Sequence, residues 1–233
     1  MTADIIHFME PLKVWLEKHS VFSSLGVGER ETLAALALRR DLKKGEALAL
    51  QGELWPYLFL VAEGEIDAVK VSSEGRNLLV TTFGAGELFW GLAFFQDGAP
   101  LLATLEAHCP SRVYVWNRQQ TEPIFLEHGR LGWELCRVMI QRMQRASTIL
   151  EELAFQPVAG RLARLLLDHF VIAGEEVIKR ELTLDEMAAR IGTTREMICR
   201  ALYRFADNKL IEVTRTEFFL TDKNGLLQMA EGQ

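Results

Sequence analysis

Between Thr193 and Arg204 the sequence TTREMICRALYR sets two arginines, Arg195 and Arg200, around Glu196. Wound as a helix, the segment puts Arg195, Glu196, Cys199, Arg200, Tyr203 and Arg204 on one side and Ile198, Ala201, Leu202 and Phe205 on an apolar stripe opposite. A guanidinium can take guanine O6 and N7 with two hydrogen bonds, and a carboxylate can accept from cytosine N4. An Arg-Glu pair at a helix start, with an Arg four residues after Glu196, can therefore read successive base pairs in a major groove. Glu196 and Arg200 can also hold each other at i, i+4. Since an ordinary surface helix with an ion pair has the same spacing, the flanking elements must decide.

Those elements fit a two-helix reader. Leu184, Met187, Ala188 and Ile191 recur at i, i+3, i+4 and i+7, the apolar face of a short preceding helix. Thr183 and Glu186 have capping-box spacing, Gly192 can turn the chain sharply, and Thr193 with Glu196 repeats the capping box. After the second helix, Ile211 to Leu220 alternates like a hairpin. Upstream, RLARLLLDHF reads as an amphipathic helix, and VIAGEEVIKREL as a small hairpin before Thr183.

LTLDEMAARIG followed by TTREMICRAL resembles the helix-turn-helix of the cyclic-AMP receptor protein and FNR family of bacterial transcription regulators, whose matching positions read S-R-E-T-V-x-R. The resemblance implies a winged helix-turn-helix in which Arg195, Glu196 and Arg200 touch bases, with Thr193, Thr194 and Arg204 beside them and Ile211–Leu220 as the wing. It further implies a half-site similar to TGTGA, double-stranded DNA and RNA polymerase as partners, and no catalysis. Met197 and Cys199 depart from the family's usual neighbours.

Bulk charge does not announce this partner. The chain carries a net −6, and from Gln156 to Gln233 there are 11 basic against 12 acidic residues, so any positive surface is local. The N-terminal MTADIIHFMEPLKVWLEK has neither the basic start nor the long apolar run of a signal peptide, and Asp4, His7, Glu10 and Lys13 interrupt any membrane span, so a cytoplasmic protein is expected. Cys109, Cys136 and Cys199 are far apart and odd in number, which argues against a disulfide framework. No cysteine precedes Cys109, whereas FNR-type iron–sulfur sensing uses an N-terminal group.

From about Arg40 the pattern becomes short apolar runs punctuated by Gly45, Gly52, Gly64, Gly75, Gly84, Gly86 and Gly98, which reads as many short strands. Residues 20 to 120 are similar to the family's β-roll, a sheet wrapped around a ligand-sized pocket. Cyclic-nucleotide binders place a Gly-Glu pair on the ribose and an Arg-Ser pair on the cyclic phosphate. In this chain the first pair falls on Trp90-Gly91 and the second on Leu101-Leu102. A buried phosphate without a cation or donors costs several kcal/mol, so cyclic AMP is rejected as the effector. Trp90, Gly91, Leu92, Leu101 and Leu102 are the expected pocket residues, and their character suits an apolar ligand, a flat cofactor such as haem, or a collapsed pocket. Haem would need an axial ligand from His7, His19, His108, Cys109 or His128. A metal-dependent cupin-type enzyme would need two or three converging histidines, and the β region offers only His108.

Amphipathic helices are expected over residues 4–18, with Ile5, Phe8, Met9, Leu12, Trp15 and Leu16 on the packed face, over Glu29–Leu38, and over Gln119–Glu127. Gly129–Phe155 is the longest regular segment, where Cys136, Met139, Met143, Ala146, Leu150 and Leu153 alternate by three and four. One such seam needs a partner, and a parallel homodimer agrees with the family's dimerisation helix. Pro157 should break the helix at Gln156. The expected fold is α+β: a cyclic-nucleotide-binding-like jelly roll over residues 1–128, a long dimerisation helix over 129–155, and a winged helix-turn-helix over 156–233. Either an effector controls it or the pocket is degenerate and DNA binding is constitutive.

Overall fold

The computed structural model describes residues 12–173 and 176–231. Helix α1 spans Leu12–Lys18 and α2 Val27–Leu36. The part of the first expected helix that carries Ile5, Phe8 and Met9 lies outside the described residues. Helix α2 starts and ends two residues earlier than its periodicity suggested, because Leu38 already belongs to a strand.

The glycine-punctuated region forms eight strands: β1 (Leu38–Leu42), β2 (Ala47–Ala49), β3 (Tyr57–Glu63), β4 (Ile66–Val71), β5 (Asn77–Phe83), β6 (Leu88–Trp90), β7 (Thr104–Ala107) and β8 (Ser111–Asn117). They make two four-stranded sheets in the orders β1-β8-β3-β6 and β2-β7-β4-β5. That order is a jelly roll. Successive side chains of a strand point to opposite faces, and β3 buries both sets. Phe59 and Val61 join Phe83, Leu105 and Val113 in one core. Leu58 and Leu60 join Leu16, Phe22, Leu33, Trp116 and Leu131 in a second, where helices cover the sheet. The turn at Gly64 can only be glycine, since φ is +77° and a Cβ would lie 2.6 Å from the carbonyl oxygen of Pro110.

After the strands come α3 (Arg118–Glu127) and the 27-residue α4 (Gly129–Phe155). The chain breaks at Gln156 and Pro157 before α5 (Val158–Ala173), as the restriction on the residue before proline requires. Then follow β9 (Val177–Lys179), α6 (Leu184–Ile191), α7 (Arg195–Asp207), β10 (Ile211–Val213), β11 (Glu217–Leu220) and α8 (Lys223–Glu231). The hairpin expected before Thr183 does not form. Val171 to Ala173 continue α5, and β9 pairs antiparallel with β11 as the third strand of the sheet β10-β11-β9. A three-residue strand has no neighbour of its own to pair with, so the wing completes its hydrogen bonds.

The chain divides into two compact units. The first runs to Ala68 and includes Thr82–Met143; the second comprises Val69–Thr81 and everything from Gln144. In the second unit Leu162, Leu166, Phe170, Met187, Ile198, Phe205, Phe218 and Leu226 form the core. Arg161 lies at the junction of α4, α5 and α6. It donates from Nε to the carbonyl of Ile191 at 2.9 Å and from Nη1 to that of Gln156 at 2.6 Å and Glu152 at 3.4 Å.

In the first unit His19 is held neutral. The Val21 N–H donates to its Nδ1 at 3.2 Å, and its Nε2 is 3.0 Å from the carbonyl oxygen of Gly86, an acceptor that fixes the proton on Nε2. Burial pushes its pKa below the ordinary value near 6.5, against a smaller upward pull from the Gly86 bond. A depressed histidine pKa means that the unfolded chain takes up the proton first. Stability is therefore complete above about pH 6.5 and falls as the pH drops below it toward the folded pKa. Thermal melts from pH 7.5 to 5 should show this loss, and His19→Gln, which keeps the donor to Gly86, should flatten that part of the profile.

Candidate nucleic-acid interface

Residues 183–208 fold as two capped helices. Thr183 accepts from the Glu186 N–H at 3.2 Å while the Glu186 carboxylate takes the Thr183 N–H at 2.7 Å, the reciprocal box that the spacing implied. Gly192 ends α6 in the left-handed region at φ 65°, and the N–H groups of Gly192 and Thr193 both reach the carbonyl of Ala188. That bond changes the second cap. Thr193 closes the end of α6, so α7 begins one residue later than expected, with Thr194 as the N-cap accepting from the Met197 N–H at 3.4 Å. Glu196 consequently makes no capping box and instead accepts from Arg200 at 2.5 Å.

Ile198, Ala201, Leu202 and Phe205 are buried, as the apolar stripe required. Arg195, Glu196, Arg200, Tyr203 and Arg204 are exposed, with Cys199 half-buried among them. Thr194 is exposed and Thr193 half-buried at the helix entrance. The candidate DNA contacts thus share one solvent face, led by the N-terminus of α7. Two acidic neighbours shape its charge: Glu196 on Arg200, and Asp185 from the first turn of α6, whose Oδ2 lies 3.1 Å from Arg195 Nη1. Asp185 was not singled out from sequence, because one acid in a helix's first turn is commonplace. In the wing, Arg180 stacks over the ring of Phe218 and donates to the carbonyl of Thr214 at 2.8 Å, leaving Arg215 exposed at the tip.

The five expected pocket residues differ in burial and in the core they join. Trp90 packs in the helix-facing core and Leu101 between the two sheets, whereas Leu102 is 54% exposed and Leu92 37%. Leu92 opens a 3-10 turn that sends Ala93 and Phe94 inward in its place. Leu101 exchanges backbone bonds with Gly52 and Glu53, which turns it in and Leu102 out. Gly91 is a steric requirement, since a Cβ there would lie 2.1 Å from the carbonyl oxygen of Trp55. The structure also supplies a cation that the sequence did not reveal. Arg142 of α4 puts its guanidinium 4.7 Å from the ring centre of Trp90, 5.1 Å from Phe89 and 5.4 Å from Phe83, and donates to the carbonyl of Leu88.

His108 Nδ1 pairs with Asp67 at 2.9 Å, and His128 Nε2 with Glu29 at 2.6 Å. With His19 bonded through both nitrogens, the described histidines considered as haem ligands each carry a protein partner; His7 lies outside the described residues. Cys109 is half-buried and a free thiol. Among the described residues no group of three or more His, Cys, Asp or Glu could hold a metal ion. None of their helices is long and apolar enough to cross a membrane.

On α4, Cys136, Met139, Met143, Ala146, Leu150 and Leu153 are all exposed, while Leu131 and Leu135 on an adjoining face are buried. Met143 and Leu150 are 68% and 66% exposed. Large apolar side chains repeated along one helix form a contiguous surface rather than scattered exposure.

Comparison with known proteins agrees with this geometry. Residues 39–128 match the cyclic nucleotide-binding domain family and residues 160–229 the Crp-like helix-turn-helix domain family, together more than half of the chain. A CRP-like cAMP-activated global transcriptional regulator of Mycobacterium tuberculosis is 25% identical over 195 residues, covering 82% of this chain and 87% of that protein. Among solved structures, a CRP/FNR-family regulator from Eubacterium rectale has a TM-score of 0.78 at 18% identity, covering 91% of this chain and 98% of its own. The c-di-GMP-responsive global regulator CLP of Xanthomonas campestris has 0.70 at 19%, covering 84% and 99%. With a jelly roll at one end, a capped helix-turn-helix and wing at the other, and both matched to the corresponding families, the chain belongs to the CRP/FNR family of DNA-binding transcription regulators, which are not enzymes.

Proposed function

We propose that the protein is a homodimeric, sequence-specific regulator that reads a palindromic operator and is controlled, if at all, by an effector other than a cyclic nucleotide. The observation that carries this reading is the solvent face of α7, where Arg195, Glu196 and Arg200 stand exposed on a helix that is capped and buried along its opposite stripe. In this division of labour residues 1–128 are the effector-type domain, 129–155 the dimerisation helix and 156–233 the DNA-binding domain. Two copies joined in parallel through α4 would present two α7 helices to successive major grooves about 34 Å apart, the geometry that a palindrome requires. RNA polymerase is the partner expected of such a regulator, and the cytoplasm its place.

Three features favour an unconventional effector or none. No side chain can occupy Gly91, where cyclic-nucleotide binders carry a glutamate. Leu101 and Leu102 stand at the phosphate-binding pair, and the guanidinium of Arg142 is stacked on Trp90, Phe89 and Phe83. An arginine already stacked on Trp90, one of the expected pocket residues, also suits the second reading, a regulator that binds DNA constitutively.

Arg200→Ala should weaken binding to a TGTGA palindrome by about 1–3 kcal/mol and relax one base position, measured by fluorescence anisotropy at fixed salt; unchanged affinity would remove the helix from the interface. Leu150→Lys should turn the dimer into a monomer in sedimentation, since it places a charge within the exposed seam. Gly91→Glu, which restores the family's ribose contact on paper, should lower the melting temperature without conferring cyclic AMP binding by calorimetry, because the new Cβ collides with the Trp55 backbone.

A further inference from the structure

We infer that Asp185 is a specificity-determining residue that positions Arg195 for base reading and keeps it off the phosphate backbone. The inference rests on the DNA-binding reading above. Its basis is the 3.1 Å pair between Asp185 Oδ2 and Arg195 Nη1, which ties the first turn of α6 to the first turn of α7 on their common solvent face. The cap of α6 is already complete through Thr183 and Glu186, so Asp185 is not needed to start the helix. Nor is the pair a credible source of stability, since both side chains are about two-thirds exposed and pairs of that kind contribute about 0–1 kcal/mol.

A carboxylate is also the wrong sign for a surface that must meet phosphates. Its value lies in what it does to the guanidinium. An arginine has five N–H donors in a rigid fork, so a carboxylate on one edge leaves another edge free to meet guanine O6 and N7. It fixes the plane of that edge, and it repels a phosphate that would otherwise compete. Arg200 is held in the same manner by Glu196. The charge of the region makes such restraint consequential. With 11 basic against 12 acidic residues from Gln156 onward, non-specific attraction is weak, and discrimination depends on how these two guanidiniums are aimed.

The test uses the full-length protein and its Asp185→Asn, Asp185→Glu and Arg195→Ala variants. Each is used to select sites from a random duplex pool, followed by titrations of the selected and a scrambled duplex over a range of salt. Arg195→Ala identifies the base pair that Arg195 reads. Asp185→Asn should select the same palindrome but lose about tenfold discrimination at that one base pair. It should bind the scrambled duplex more tightly, with a salt slope steeper by about one released ion, as a freed guanidinium moves to phosphate. Asp185→Glu should retain the discrimination, and the melting temperature of Asp185→Asn should match the wild type. The inference is overturned if Asp185→Asn keeps the wild-type preference at every position, or if it loses affinity uniformly along with thermal stability. Selection of no site by the effector-free wild type would instead sink the constitutive reading, and with it this inference as a property of the protein alone.

Discussion

An α-helix leaves its last carbonyls without intrahelical partners, and the second unit answers this at two helix ends with one guanidinium. Arg161 takes the carbonyls of Glu152 and Gln156 at the end of α4 and that of Ile191 at the end of α6. Burial pulls its pKa down and Glu152 pushes back, but a guanidinium starts so far above neutrality that it stays charged. These bonds fix where α6 stops relative to the break at Pro157. Everything that follows in the DNA-binding unit inherits that position. Gly192 turns in the left-handed region, Thr193 closes α6, Thr194 caps α7, and Arg195 emerges at the start of the exposed face. Close packing adds to the constraint, since a Cβ on Gly192 would lie 2.8 Å from Leu153 of α4, and one on Gly160 2.9 Å from the Met229 carbonyl of α8.

On the recognition surface the same economy of charge recurs. The chain is acidic overall, and its DNA-binding part is close to neutral, so a broad positive field is not its means of finding DNA. Instead the two arginines proposed to read bases are each matched to a carboxylate, Arg195 to Asp185 and Arg200 to Glu196. Exposed pairs of this kind add little to folding stability. Their effect is on side-chain orientation, which in a major groove decides which base edge is met.

The jelly roll keeps the family's architecture around an interior packed with large apolar side chains. Glycine at position 91 lets the Trp55 backbone close in, and Leu101 fills the space between the sheets. Arg142 then brings α4 onto the aromatic wall of Trp90, Phe89 and Phe83. A guanidinium over aromatic rings gains a cation–π attraction, and the carbonyl of Leu88 accepts a hydrogen bond from it as well.

What local pattern controls was legible from residue order alone. The capping box of α6, the glycine turn, the buried stripe of α7, the break at Pro157 and the exposed seam of α4 all depend on contacts within a few residues or on a periodicity that one segment carries. What failed depended on partners distant in sequence. The second cap moved from Thr193 to Thr194 because Thr193 was needed by Ala188, and the segment before Thr183 became a third wing strand because β11 lay beside it. Leu92 and Leu102 turned outward because a 3-10 turn and a pairing with Gly52 and Glu53 reset the alternation. Arg142 and Asp185 gained their meaning only from groups 52 and 10 residues away, Trp90 and Arg195. Sequence thus determined the fold class, the elements and the exposed polar face of α7, because hydrophobic period and capping are local. Tertiary structure decided which polar groups are paired and which cavities are filled, because close packing and ion pairing depend on where distant segments come together.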